Sequence, residues 1–298
     1  MCDFAADAAA AEQLMVGRTL TLERVRQLNA KDYFYQMLKD NPEIVKIYPG
    51  IENELLQGAI DCHIHAYPDF VHRSQDMIQI AIEASKCGMR AIAFKDHWNI
   101  SATSAYLTQR HIDEMIARGE LTNRVEVYGG VGMCFGMRPD YVRVGLQYPN
   151  FKMIWFPTFT SYGFWRGAGH PEHEGVRLCS EDGKVLPEVK EIMEMAAAKK
   201  VGIGFGHTDF QELLPLARLA KEIGPDRCII GSDFGQVLHM DAIDGMRVFI
   251  RALLGFGVKP EEVKVMLKDN PAKLMWLDQR EAATVAPAAI AGYRPQRT

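Results

Sequence analysis

The chain has 298 residues, 48% of them hydrophobic, enough for a sizeable core in one or two domains. Its net charge is −4 and it has no Lys/Arg block, which argues against a nucleic-acid partner. It lacks the run of about 18 apolar residues that a membrane span needs, and its alanine-rich start is acidic, unlike a signal peptide.

Residues 1–57 read as a peripheral helical extension, with Val25, Leu28, Tyr33, Phe34 and Leu38 at roughly helical spacing. From residue 58 the pattern becomes one of short apolar runs alternating with amphipathic helices. "GAIDCHIH" predicts a first strand. "SQDMIQIAIEASKCGM" predicts a helix capped by Ser74 and stopped at Gly88. "RAIAFKDH" is a second strand, followed by a helix that ends at Gly119. "VEVYGGVGM" and "FKMIWFPT" are the third and fourth strands. A long excursion over 159–186 is rich in glycine, aromatics and histidine, as lids and binding loops are. A helix opens at Pro187, with Val189, Ile192, Met193 and Ala196 on one face. "VGIGFGH" is the fifth strand. A helix with a capping-box-like Asp209 and Glu212 leads to "RCIIGSD", the sixth. Three helical segments close the domain at about residue 278, and 279–298 reads as a tail.

Alternating strands and helices with nearly continuous apolar strands predict a parallel α/β sheet, either a TIM-like (β/α)-barrel or a distorted, incomplete one. In such folds chemistry collects at the carboxyl ends of the strands. Four apolar runs end in ligand or acid–base residue types: His63 and His65; Lys95, Asp96 and His97; His207; and Asp233. Residues i and i+2 of a strand face one side, so His63 and His65 can aim at one ion. Imidazole and carboxylate donors suit Zn²⁺ best, with Mn²⁺ or Fe²⁺ as alternatives. Read singly, each residue has a bland explanation: surface alternation, a buried hydrogen-bonded histidine, or a helix cap at Asp233. Together they predict a metal site of His63, His65, His207 and Asp233. Asp233 would also move a proton.

His97 is either a ligand or a donor behind one. Lys95 has three open readings: a carbamylated bridge between ions, a cation orienting a substrate carboxylate, or a partner of Asp96. Within the excursion, Arg166, His170 and His173 are candidate substrate contacts. Trp155 is another, unless it belongs to the core. The glycines of "YGGVGMCFG" do not open a helix, which excludes a dinucleotide fingerprint. Six scattered cysteines without a C-x-x-C pair fit reduced thiols and a cytoplasmic location.

"DCHIH", "GFGH", "IIGSDFGQ" and "DNPAKLMWL" together resemble the metal-dependent amidohydrolase superfamily over about residues 58–278. The combination of "AFKDH", "YGGVG", "WFPT" and "SDFGQ" is similar to a poorly characterised cytosolic branch of it. The resemblance implies a distorted (β/α)₈ barrel and a metal-activated water that attacks an amide, imide, lactone or ester. It assigns His63, His65, His207 and Asp233 as ligands, and Asp233 as general base. A metal-dependent decarboxylase of an aromatic or unsaturated acid is the rival expectation. With His207 the single evident mid-barrel histidine and six strands countable, one ion is expected rather than two. A homo-oligomer could complete a short barrel.

Overall fold

The computed structural model describes residues 51–70, 73–167, 174–205, 242–255 and 258–277, with single positions at 212, 215, 216 and 219. Chain order is α1 (Ile51–Leu56), β1 (Ile60–Ile64), α2 (Met77–Lys86), β2 (Ala91–Phe94), α3 (Ala102–Ala117), β3 (Glu126–Gly132), α4 (Pro139–Gly145) and β4 (Phe151–Trp155). Then come α5 (Tyr162–Gly167), α6 (Pro187–Lys199), β5 (Gly202–Gly204), α7 (Ala242–Gly255), α8 (Pro260–Lys264) and α9 (Asn270–Leu274). The five strands pair in parallel in the order β1-β2-β3-β4-β5 and form a curled half-barrel, a partial TIM-like fold. No described helix is long and apolar enough to cross a membrane.

The strands are nearly continuous apolar runs because both sheet faces are covered. Ile64, Ile92, Phe94 and Val127 pack outward against α2, α3 and α7, and Val131 and Ile154 against α4 and α6. The inner face has a different cover. Ile60, Cys62, Ala91, Ala93, Tyr128, Met153 and Trp155 cluster with Ala272, Leu274, Met275 and Leu277. The closing helical segment thus fills the concave side of the half-barrel with side chains. Small residues let it approach: a Cβ on Gly202 would come within 3.1 Å of Leu274.

Helix boundaries follow local chemistry. Asp76, rather than the expected Ser74, caps α2: its carboxylate accepts from Gln79 N, while the Gln79 side chain accepts from Asp76 N. That reciprocal pair satisfies two backbone donors, which Ser74, two residues upstream, cannot reach. Gly88 (φ 73°) and Gly119 (φ 73°) end α2 and α3 as the sequence predicts. The pattern hides two features. Short α4 was not anticipated. The last two helical segments are one continuous stretch, with a π-turn over Val265–Asp269 between α8 and α9. Asp209 of the expected capping box lies outside the described residues. Among the described residues the buried Glu212 carboxylate accepts from Leu178 N at 2.7 Å and Cys179 N at 3.0 Å. Within the described residues the excursion adds isolated bridges, Ser161 to Val176 and Cys179 to Val185, rather than a sheet strand. The expected sixth strand, most of the N-terminal extension and the tail lie outside the described residues.

Candidate metal centre

The site starts with an irregularity in β1. Asp61 pairs with Ile92 and Ile64 with Phe94, so three steps on β1 match two on β2. The extra residue is a bulge. It switches phase: Ile60 and Cys62 lie in the inner cluster, whereas Ile64 packs outward. His63 and His65, flanking Ile64, are thereby turned inward at the rim. The backbone N–H of His63 donates to Asp61 Oδ1 at 3.0 Å. The Asp61 side chain thus takes up a donor at the point where the ladder is disturbed.

His97 is positioned from β2. Asp96, beside it, accepts from Trp98 N at 2.8 Å, Asn99 N at 2.9 Å and Asn99 Nδ2 at 3.1 Å, which fixes the turn. The turn lies over Gly132 of β3, where a Cβ would stand 2.4 Å from Asp96 O and 3.0 Å from His97 Cα. Only glycine permits this approach.

His65 and His97 then stack with centroids 4.6 Å apart and planes 7° from parallel. Their Nδ1 atoms face the same oxygen, Asp69 Oδ2, at 3.9 and 3.7 Å. These spacings exceed a hydrogen bond. They approach the ~3.4 Å expected between donors that share a tetrahedral ion at about 2.1 Å. His97 Nδ1 is buried with no hydrogen-bond partner among the described residues. His65, Asp69 and His97 place ligand atoms within 4.8 Å of one another, so the triad could hold a metal ion.

Asp69 is the residue that strand periodicity missed. It lies in the loop after β1, four residues beyond His65, where alternation no longer applies. Its side chain is 2% exposed, and Arg73 donates to Oδ2 through Nε at 2.9 Å and an Nη at 2.7 Å. A carboxylate has about four acceptor positions, so this fork and an ion can share it. Burial opposes its ionisation. The facing His97 and the charge and hydrogen bonds of Arg73 outweigh that, holding the carboxyl down at about 2. Burial pushes the His97 imidazole below its ordinary range. Asp69 opposes that shift and Lys95 reinforces it. Both ligands are therefore in their metal-binding forms at neutral pH.

Of the expected ligands, the structure brings His65 into this triad together with His97. His63 stands next to it, 5.3 Å from His65 and 5.9 Å from Trp155 between ring centroids, but is not one of the three. His207, Asp233, His170 and His173 lie outside the described residues. Lys95 is buried at the end of β2. Trp155 is buried in the inner cluster, as the core reading has it. Arg166 is exposed on α5 and donates to the Tyr162 hydroxyl.

Comparison with curated proteins found no match, and comparison with solved structures found none. A family model matches residues 58–247, which take in all five strands and the triad. The chain belongs to that family, a family of unknown function designated DUF6282.

Proposed function

We propose that this chain is a mononuclear metal-dependent hydrolase acting on an amide, imide, lactone or ester of a small molecule. One observation supports this reading above the others. Two buried imidazoles and one buried carboxylate, from the loops after β1 and β2, converge at the carboxyl rim of a parallel half-barrel. A divalent ion there, Zn²⁺ first and Mn²⁺ or Fe²⁺ as alternatives, would polarise a carbonyl and lower the pKa of a water from ~15.7 towards ~7.

The chain's own groups have separate tasks. His65, Asp69 and His97 hold the ion and leave positions for water and substrate. Arg73 fixes the Asp69 carboxylate from behind. Asp233, and with it His207, is assigned from the amidohydrolase resemblance: Asp233 takes a proton from the attacking water and returns it to the leaving group. A second reading, decarboxylation of an aromatic or unsaturated acid, draws support from the Phe159 ring, 4.8 Å from that of ligand His97.

The test begins with metal content. Purified protein should carry about one equivalent of zinc, and His97→Ala should lose it while keeping its circular-dichroism spectrum. Full retention in that variant overturns the site. The two reactions separate by product: ¹⁸O from labelled water enters the product of hydrolysis, whereas CO₂ is released by decarboxylation.

A further inference from the structure

Four consecutive loops at the carboxyl rim each carry one aromatic ring to the same place. Phe70 follows β1, Trp98 follows β2, Phe135 follows β3 and Phe159 follows β4. The rings form a chain. Phe135 meets Trp98 at 4.7 Å, Trp98 meets Phe70 at 5.7 Å, and Phe70 meets Phe159 at 5.7 Å between centroids. Both Phe70 and Phe159 also touch the ligand ring of His97, at 5.6 and 4.8 Å.

Phe70 and Phe135 are 60% and 65% exposed. A stable soluble fold gains nothing by holding two phenyl rings in water. Exposed apolar surface of this kind, beside a cluster of convergent polar groups, marks a place where a ligand completes the packing. Ring geometry narrows the ligand. Phe70 lies near-perpendicular to Trp98, His97 and Phe159, at 76°, 88° and 86°. A further planar ring can join such a cluster in offset or edge-to-face contact on the exposed side of Phe70. The position is specific too: Phe70 adjoins the ligand Asp69, and Trp98 adjoins the ligand His97.

We propose that the site takes a small molecule built on a planar aromatic or unsaturated ring, with an oxygen-bearing group on that ring directed at the triad. The ring lies along the Phe70–Trp98–Phe159 wall, and Phe135 closes its outer edge. This rests on the metal-site reading for the direction of the oxygen group, but not for the ring wall.

The experiment uses two hydroxamates that chelate through the same group, benzohydroxamate with a ring and acetohydroxamate without. Binding to zinc-loaded full-length protein is followed by isothermal titration. Benzohydroxamate should bind at least about tenfold tighter. Phe70→Ala should bring that ratio close to one. Phe159→Ala serves as the second variant should Phe70→Ala not fold. Equal affinities in the wild type, or a ratio that survives both substitutions, overturn the ring wall. The same comparison is made on metal-free protein with benzamide and acetamide, read by saturation-transfer NMR. If the protein takes up no zinc, the metal-site reading fails and this arm alone decides: preference for benzamide that disappears in Phe70→Ala upholds the ring wall, and its absence overturns it.

Discussion

Asp69 gathers the Arg73 guanidinium and both imidazoles of the triad around one carboxylate oxygen. Arg73 forms a two-bonded fork to its Oδ2, and both histidines of the triad face the same atom. Arg73 is therefore the residue that sets the carboxylate's direction. Arg73→Leu should weaken zinc binding by roughly 10–100-fold, as loss of support behind a ligand does. Equilibrium dialysis against a competing chelator measures it, and an unchanged constant would remove Arg73 from the site. The same cluster fixes the sign of the pH dependence. Asp69 has its folded pKa lowered from 3.8 to about 2, so its stabilisation is complete above pH 3.8 and is lost as pH falls towards 2. That loss is on the order of 1–2 kcal/mol. His97 is lowered from 6.5, so burial penalises its protonation once pH falls below that value. Both act in one direction. In metal-free protein the melting temperature should fall in acid, beginning below about pH 6.5 and steepening below about pH 4. His97→Gln should remove the first phase.

Among the elements, β1 and β3 matter most for the site, through their departures from regularity. The β1 bulge turns His63 and His65 inward, and Gly132 of β3 makes room for the turn that carries His97. Gly132→Ala would drive a methyl group to 2.4 Å from Asp96 O. The turn must then move, and His97 with it. We expect zinc affinity to fall by roughly tenfold or more with the fold retained, since ligand geometry tolerates only about 0.5 Å. Native-like circular dichroism with wild-type affinity would refute this. Much of this scale could be read in advance. Alternation, Gly88, Gly119 and Pro187 located strands and helices because each acts over a few neighbouring residues. The Ser74 expectation failed because Asp76 has a better partner in Gln79. Asp69 was missed because the loop after β1 obeys neither period.

For the molecule as a whole, the open question about a short barrel is how its concave face stays dry. The closing segment provides cover among the described residues, with Leu274 over Gly202 and Cys62 Sγ 3.3 Å from Met275 Sδ. Leu274 is 3% exposed. Leu274→Ala should cost ~2–5 kcal/mol in urea unfolding, because the surrounding backbone leaves little room to collapse into the space. A cost below about 0.5 kcal/mol would show that this cover is not structural.

The sequence by itself determined the α/β class, the alternation of elements, and the rim on which His65 and His97 end up. Those follow from periodicity and from the rule that parallel strands share one carboxyl end. Tertiary structure alone decided which side chains face each other. The pairing of His65 with His97 depends on a one-residue bulge, and the recruitment of Asp69 depends on a loop path anchored by Arg73. Both are contacts between residues distant in pattern, set by packing and charge rather than by any local repeat.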